Sequence, residues 1–439
     1  MLHPEIESMD RDAIKSLQAR KLSTLGERLA LSPEWCEHFA NSGMHPRDLA
    51  AADGLASAPM LEKSDLRARY PFPMLTVNVS QVARFFATSG TTGLPVMFGF
   101  TKKDLNQLLA VQVARQVYCT GVRPGDRAYQ GYGYGLWIGG PAHDLGLEEL
   151  GVTCFPVGPG RSELVVQWLR DQAWDMATIS PLFLAHLIRV AQDNGIDPKK
   201  EWKLSRALIG GQSVSRAFRE ELEAKMPAGF RAYNTYGTTE SGGPNVGISC
   251  PHSHNRDEIH LINEDTIITE ILDPETLKPV GPGEVGEIVV TTLDKEASPV
   301  VRWRTRDLVR ISENPYDCEC GRHGMPTIGR IIGRSDDMLK VRGVIVFPSQ
   351  IEDVIAGISG TVKEAWQIYV DTVDGTPQSM DVAVECERGY NGDPSDLADT
   401  VARSISSRLG LKVPVKCHQE GTLPRYEAKA QRVTLKEQS

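Results

Sequence analysis

Thr88-Ser89-Gly90-Thr91-Thr92-Gly93-Leu94-Pro95 follows directly on the apolar run Val82-Ala83-Arg84-Phe85-Phe86-Ala87. The hydroxyls of Ser89, Thr91 and Thr92 alternate with Gly90 and Gly93. Side-chain donors and unobstructed backbone N–H groups therefore meet where the chain can bend through conformations closed to residues with a Cβ. That is the chemistry of a loop wrapping a polyphosphate. It is not a Walker A loop, because no lysine follows the second glycine. The same composition also makes ordinary turns, so its reading depends on the company it keeps further along the chain.

That company is Tyr233-Asn-Thr-Tyr-Gly-Thr-Thr-Glu240, Arg302-Trp-Arg-Thr-Arg-Asp-Leu308, Gly333-Arg-Ser-Asp-Asp-Met-Leu-Lys-Val-Arg-Gly343 and Leu423-Pro-Arg-Tyr-Glu-Ala-Lys-Ala-Gln-Arg-Val433, in that order. Together these segments resemble the adenylate-forming (acyl/aryl-CoA synthetase) superfamily. Gly133-Tyr-Gly-Leu-Trp-Ile-Gly-Gly140, the Arg-Thr-Arg-Asp version of the third segment and Val346-Phe-Pro-Ser-Gln-Ile-Glu352 are similar to its phenylacetate–CoA ligase branch.

Composition is that of a soluble globular protein. At 439 residues the chain exceeds one ordinary core, and 41% hydrophobic with 24% charged residues is a globular balance. A net charge of −9 offers no positive field to nucleic acid or to an anionic membrane, so neither is expected as a partner. No apolar run nears the ~18 residues of a membrane span, and the first residues, Met-Leu-His-Pro-Glu-Ile-Glu, lack a signal core. A cytoplasmic location is expected. The eight cysteines are too thinly scattered for a disulfide framework.

Periodicity sets the expected layout. Ile14-Leu17-Leu22-Leu25-Leu29 predicts a helical entry region, and Thr101 with Asp104 three residues on predicts an N-cap for a helix reaching Val117. Strand-like 152–157 and 204–209 alternate with helical 163–171 and 182–193, which predicts doubly wound α/β subdomains. Short alternating runs from Glu258 to Ile311 predict a small β-barrel-like subdomain. Residues 343 onward, with amphipathic helices at 349–358 and 395–409, predict a small C-terminal α+β unit, which the resemblance implies is mobile. The expected division is 1–334 for the N-terminal adenylation domain and 335–439 for the mobile domain.

The resemblance implies roles for individual residues. Ser89, Gly90, Thr91, Thr92 and Gly93 would hold ATP phosphates. Gly211 and Gln212 would lie beside adenine, on which Tyr236 stacks, with Gly237, Thr238 and Thr239 toward the α-phosphate. Glu240 would bind Mg²⁺, which takes few carboxylates along with phosphate and water. Asp307 would accept from both ribose hydroxyls, since two carboxylate oxygens match two vicinal donors, and Arg334 would meet the nucleotide sugar and phosphate. Asp336 matches the hinge, and Lys429 the mobile cation that neutralises charge in the transition state. Tyr132, Tyr134, Gly135, Trp137 and Gly140 form a glycine-spaced aromatic run suited to a flat ring. Two departures stand out. Leu94 replaces a customary lysine, with Lys102 and Lys103 nearby, and Gln212 replaces a customary glutamate.

Cys318-Glu-Cys320 and Cys250-Pro-His-Ser-His254, with His260 close behind, carry zinc's preferred ligand types. Cys250, His260, Cys318 and Cys320 resemble a structural Zn²⁺ set found in this branch, with His252 or His254 open as replacements for His260. The reaction implied is AMP-forming activation of an aromatic (aryl or arylacetic) carboxylic acid, followed by transfer to coenzyme A. A carrier-protein thiol or an amine is an alternative acceptor, and a non-catalytic nucleotide-binding relative an alternative altogether. A homodimer is common among similar proteins.

Overall fold

The computed structural model describes residues 1–88, 95–341, 344–373, 376–426 and 430–437. Ser89 to Gly93, Leu94 and Lys429 thus lie outside the described residues.

The central sheet has eight strands in the spatial order Thr327–Gly329, Glu258–His260, Gly243–Ile248, Arg231–Thr238, Arg206–Ile209, Met176–Ile179, Arg127–Gln130, Thr153–Pro156. From Arg231–Thr238 to Thr153–Pro156 the strands are parallel; the remaining pairings are antiparallel. A parallel strand is covered on both faces, which explains why Met176–Ile179 is buried at every position. Its cover includes Ser162–Asp171, burying Val165, Val166 and Leu169, and Pro181–Asp193, burying Leu184, Leu187, Ile188 and Ala191. Both sets follow the three-to-four spacing of one helix face. The chain winds outward from Arg127–Gln130 to Thr153–Pro156 and then crosses to Met176–Ile179 on the other side. This reversal opens a crevice at the carboxyl ends of the strands, where the loops after Gln130, Ile179 and Ile209 converge. The mixed α/β fold predicted from the alternation is therefore present.

Two helical expectations needed adjustment. In Arg11–Leu29 the buried face holds Ile14, Leu22, Leu25 and Leu29, but Leu17 is only half-buried. Gln18 takes the interior place because its Nε2 donates to the Glu264 carbonyl at 2.6 Å. After Thr101 the reciprocal cap forms as predicted: Thr101 N donates to Asp104 Oδ2 at 2.9 Å and Asp104 N to Thr101 Oγ1 at 3.0 Å. The next turn, Asp104–Leu109, is nevertheless a π-helix before regular winding resumes in Ala110–Cys119. Asp104 is held from outside, since its two oxygens also accept from Glu296 N and Ala297 N at 2.6 and 3.0 Å. A widened turn fixed by an external bond is a recurrent device near functional sites.

The region expected as a small barrel forms a four-stranded antiparallel sheet of Ile267–Leu272, Val285–Thr292, Trp303–Arg310 and Gly333–Arg334, while Glu258–His260 joins the central sheet. Beyond it, Thr361–Val373, Thr376–Cys386, Val415–His418 and Val433–Glu437 make a separate mixed sheet. Helices Pro348–Ala356 and Pro394–Leu409 accompany it, and its core, including Ile351, Ile368, Val382 and Val401, is its own. No helix is long and apolar enough to cross a membrane among the described residues.

Candidate functional site

The carboxyl end of Arg231–Thr238 lies at the crevice, and its turn is shaped by glycines. A Cβ on Gly237 would lie 1.9 Å from the Gly243 carbonyl oxygen, and one on Gly210 2.6 Å from that of Thr235. Neither position admits a side chain, so the backbone at Gly210 lies close against Thr235 and that at Gly237 against Gly243–Asn245. Ser241 Oγ accepts from Thr238 N at 3.1 Å and locks the turn. Glu240 emerges from it half-buried, in the field of Lys63 and Lys295.

Asp307 faces this turn from the antiparallel sheet. Its Oδ2 accepts from the Tyr236 hydroxyl at 2.7 Å and its Oδ1 from Arg334 Nη1 at 3.2 Å. The pairing shifts register between Glu287 and Val289, and Arg306 sits at φ +67°. A left-handed non-glycine residue beside a bulge re-aims the next side chain, here the carboxylate of Asp307. Arg334 also donates through Nε and Nη2 to Asp336, both at 2.9 Å. Asp336 is exposed, on the turn leading to Leu339–Val341. The structure thus brings Tyr236, Asp307, Arg334 and Asp336 into one chain of bonds, with Gly237, Thr238, Thr239 and Glu240 on the adjoining turn. Gly211 is in the left-handed region at φ +84°, and Gln212 carries a buried Oε1 with no hydrogen-bond partner among the described residues.

The aromatic run divides. Tyr132 stacks on His143 at 4.8 Å, and a Cβ on Gly140 would lie 2.6 Å from the Gly133 carbonyl. Burial pushes His143 down to about 4, so its imidazole is neutral, with Nδ1 donating to the Gly139 carbonyl at 2.7 Å. The Tyr134 hydroxyl donates to Asp144 at 2.9 Å. Gly135 and Trp137 are exposed, and a Cβ on Gly135 would meet nothing within 4 Å. Tyr132 and Gly140 therefore line the interior, whereas Gly135 and Trp137 lie at the surface.

Cys250, His260, Cys318 and Cys320 point their ligand atoms together, all within 4.8 Å of one another. Cys250 Sγ is 3.6 Å from Cys318 Sγ, and Cys320 Sγ is 3.4 Å from His260 Nδ1. These are close to the edges of a tetrahedron with ligands ~2.0–2.3 Å from a zinc ion. His260 Nε2 lies 2.6 Å from the Met325 carbonyl, an acceptor, so this nitrogen carries the proton and Nδ1 turns its lone pair to the thiols. Of the alternatives, His252 faces Glu319 at 3.2 Å, and His254 contacts Arg219 and Glu223. Over this knuckle lies the buried Glu7–Arg322 ion pair from the first helical turn.

Two lysines escaped the sequence reading. Lys295 is buried, with Nζ 4.2 Å from the Phe100 ring centre and 3.5 Å from the Glu240 carbonyl. Burial pulls it down to about 8 against the attraction of Asp104 and Glu240. Lys63 lies in the combined field of Glu240, Arg67, Arg334 and Asp336. Within Asp294-Lys295-Glu296 nothing distinguishes a buried lysine from a solvated one. By contrast Lys103, a suggested substitute for the cation missing at Leu94, is committed to Glu296 at 2.7 Å.

Comparison with known proteins matches residues 45–293 to the AMP-binding enzyme family and 343–436 to the AMP-binding enzyme C-terminal domain. Phenylacetate-coenzyme A ligases from Pseudomonas putida (35% identical, over 97% of this chain and 94% of the relative) and Escherichia coli K12 (34%, 98% and 96%) are similar throughout. Among solved structures, 2-hydroxyisobutyryl-CoA ligase in its postadenylation state with 2-HIB-AMP is 25% identical and superposes with a TM-score of 0.89 over 99% of this chain and 92% of that one. The same ligase in its thioesterification state, with CoA, gives 0.72. With this constellation and these likenesses, the chain belongs to the AMP-binding enzyme family of adenylate-forming proteins, in its phenylacetate–CoA ligase-like branch.

Proposed function

We propose that the protein is an AMP-forming acid–thiol ligase that activates an aromatic carboxylic acid with ATP and passes the acyl group to coenzyme A. The observation that carries this reading is the bonded set Tyr236, Asp307 and Arg334 beside the Glu240 turn, which offers a ring face, a two-oxygen acceptor and a cation within one crevice. In this reading Asp307 takes the ribose hydroxyls. Tyr236, with Gly211 and Gln212, takes the adenine. Ser89, Gly90, Thr91, Thr92 and Gly93 hold the phosphates, Thr238 and Thr239 face the α-phosphate, and Glu240 would hold Mg²⁺, which screens charge between phosphates when bound. The acid carboxylate attacks the α-phosphorus, pyrophosphate leaves, and an acyl-adenylate results. Lys429 neutralises the charge gathering there. Residues 335–439 then rotate about Asp336 against 1–334, because one pose cannot serve both half-reactions. Zn²⁺, if held by Cys250, His260, Cys318 and Cys320, would pin the loops that flank the antiparallel region and do no chemistry.

The test is acid-dependent pyrophosphate release over benzoates, phenylacetates, indole acids and short aliphatic acids, with and without CoA. Preference for ring-bearing acids and CoA-dependent thioester support the reading. Thioester only on a phosphopantetheinyl carrier overturns the acceptor, and ATP binding without turnover overturns the enzyme. The acid side is also tested by Gly140→Ala. Its methyl must displace the carbonyls of Gly133 and Tyr132, 2.6 and 3.1 Å from the new Cβ. The KM for the acid is expected to rise on the order of tenfold while the KM for ATP holds, a loss of binding common to ground and transition states. Equal changes in both would remove Gly140 from the acid pocket.

A further inference from the structure

We propose that Arg330 is a positioning residue that latches the C-terminal unit onto the large one in the arrangement used for adenylate formation, and that the latch opens before acyl transfer. This rests on the ligase reading above.

Arg330 lies in the link between Thr327–Gly329 and Gly333–Arg334, ahead of the Asp336 turn. Its Nη2 forms a close ion pair with Asp353 on helix Pro348–Ala356, and its Nε lies 3.5 Å from Asp257 on the large unit. Asp257 is held in the left-handed region at φ +60° and is paired with Arg219 at 3.3 Å. Arg219 is buried and contacts His254 and Glu223. On the far side, Asp353 receives Arg408 from helix Pro394–Leu409 at 3.2 Å. Charge alternates along Glu223, Arg219, Asp257, Arg330, Asp353 and Arg408, and the ladder crosses between the units at Arg330. Arg189 with Glu364, at 2.8 Å, makes a second crossing, and the Ser349 hydroxyl donates to the Ile332 carbonyl.

Three features make this a latch in place of a permanent weld. The C-terminal core is its own, and the crossing at Arg330 itself is ionic. Charge pairs that regain water on parting separate at lower cost than a packed apolar face, because their desolvation offsets much of their attraction. Arg330 Nη1 is buried with no hydrogen-bond partner among the described residues, so the pose leaves one donor of the crossing residue unsatisfied by them. The arrangement itself is nearer to a postadenylation ligase than to the same ligase in its thioesterification state.

The experiment measures each half-reaction on the full-length protein: acid-dependent ATP–pyrophosphate exchange for the first, and thioester formation from supplied acyl-adenylate and CoA for the second. Arg330→Gln and Asp353→Asn are expected to lower exchange roughly tenfold, as the adenylation pose loses population, while transfer is kept or accelerated. Arg330→Lys should recover part of the exchange, and the swap Arg330→Asp with Asp353→Arg should recover more than either single change. Unchanged exchange, or equal loss in both half-reactions, overturns the latch. If the wild-type protein shows no exchange with any acid, the ligase reading falls. The latch is then judged by small-angle scattering with ATP: an altered radius of gyration in Arg330→Gln supports it, and an unaltered one overturns it.

Discussion

Lys429→Ala is expected to slow adenylate formation by about 10²–10³-fold, the cost of removing one preorganised charge contact at a reacting centre. Lys429 is outside the described residues, but its flanks are anchored. Glu385 is buried and accepts from Gly421 N, Leu423 N and the Arg425 guanidinium, whose Nη2 lies 2.6 Å away. Tyr426 on this flank and Ala430 on the other pack against the core of the large unit, alongside Phe155 and Trp168. In the proposed mechanism that cation is needed only while charge gathers at the α-phosphorus, so thioester formation from supplied acyl-adenylate should survive its loss. Asp336→Pro should do the opposite. Proline fixes φ at the turn that must rotate, so adenylation persists and transfer fails. Rapid-quench measurement of each half-reaction decides the matter. If both substitutions depress the same half, or Lys429→Ala is silent, domain alternation about this turn is the wrong mechanism.

Purified protein should contain close to one zinc per chain, and Cys318→Ser should abolish stoichiometric metal and lower Tm on the order of 10 °C. The drop follows because structural metal binding is folding free energy, and several kcal/mol shift Tm by ~2–4 °C each in domains of this size. Packing gives an independent reason. Cys318 and Cys250 are both buried, and the knuckle is overlaid by the Glu7–Arg322 pair. Without metal, burial and competition for one proton set these thiols against each other: hydrogen bonds from Cys318 and Cys320 pull Cys250 far down, while Cys250 pushes Cys318 up. Elemental analysis and thermal melts with and without chelator check this. Full occupancy in Cys318→Ser, or a wild-type melt that chelator does not move, would discard the site.

Much of the fold was legible because its signals are local. The reciprocal Thr101–Asp104 cap needs only residues three apart, and the strand–helix alternation is a period readable in any short window. What could not be read depends on distant partners. The π-helical turn at Asp104–Leu109 is imposed by backbone groups of Glu296 and Ala297, nearly two hundred positions away. Gln18 became interior because Glu264 offers it a carbonyl. Which of three histidines faces the thiols was a matter of strand pairing, since His260 is placed opposite Thr327. Lys295 had no signature at all, because its burial is decided by Phe98 and Phe100 closing over it. The motif residues 236, 307, 334 and 336 were readable only through resemblance, since no periodicity connects them.

The glycine clearances bear on how such a catalyst can change over generations. At Gly237 and Gly210 the neighbouring atoms are carbonyl oxygens of the backbone, which cannot swing aside as a side chain can. Random variation there meets a wall whatever residue is tried. At Gly135 an added Cβ would meet nothing within 4 Å, so a first side-chain carbon is accommodated without displacing a neighbour. The turn at Gly210 and Gly237 is therefore closed to side chains, while the position of Gly135 is open to one. A lineage built on this backbone would diversify by exploring new residues at Gly135, with the closed turn carried along unaltered.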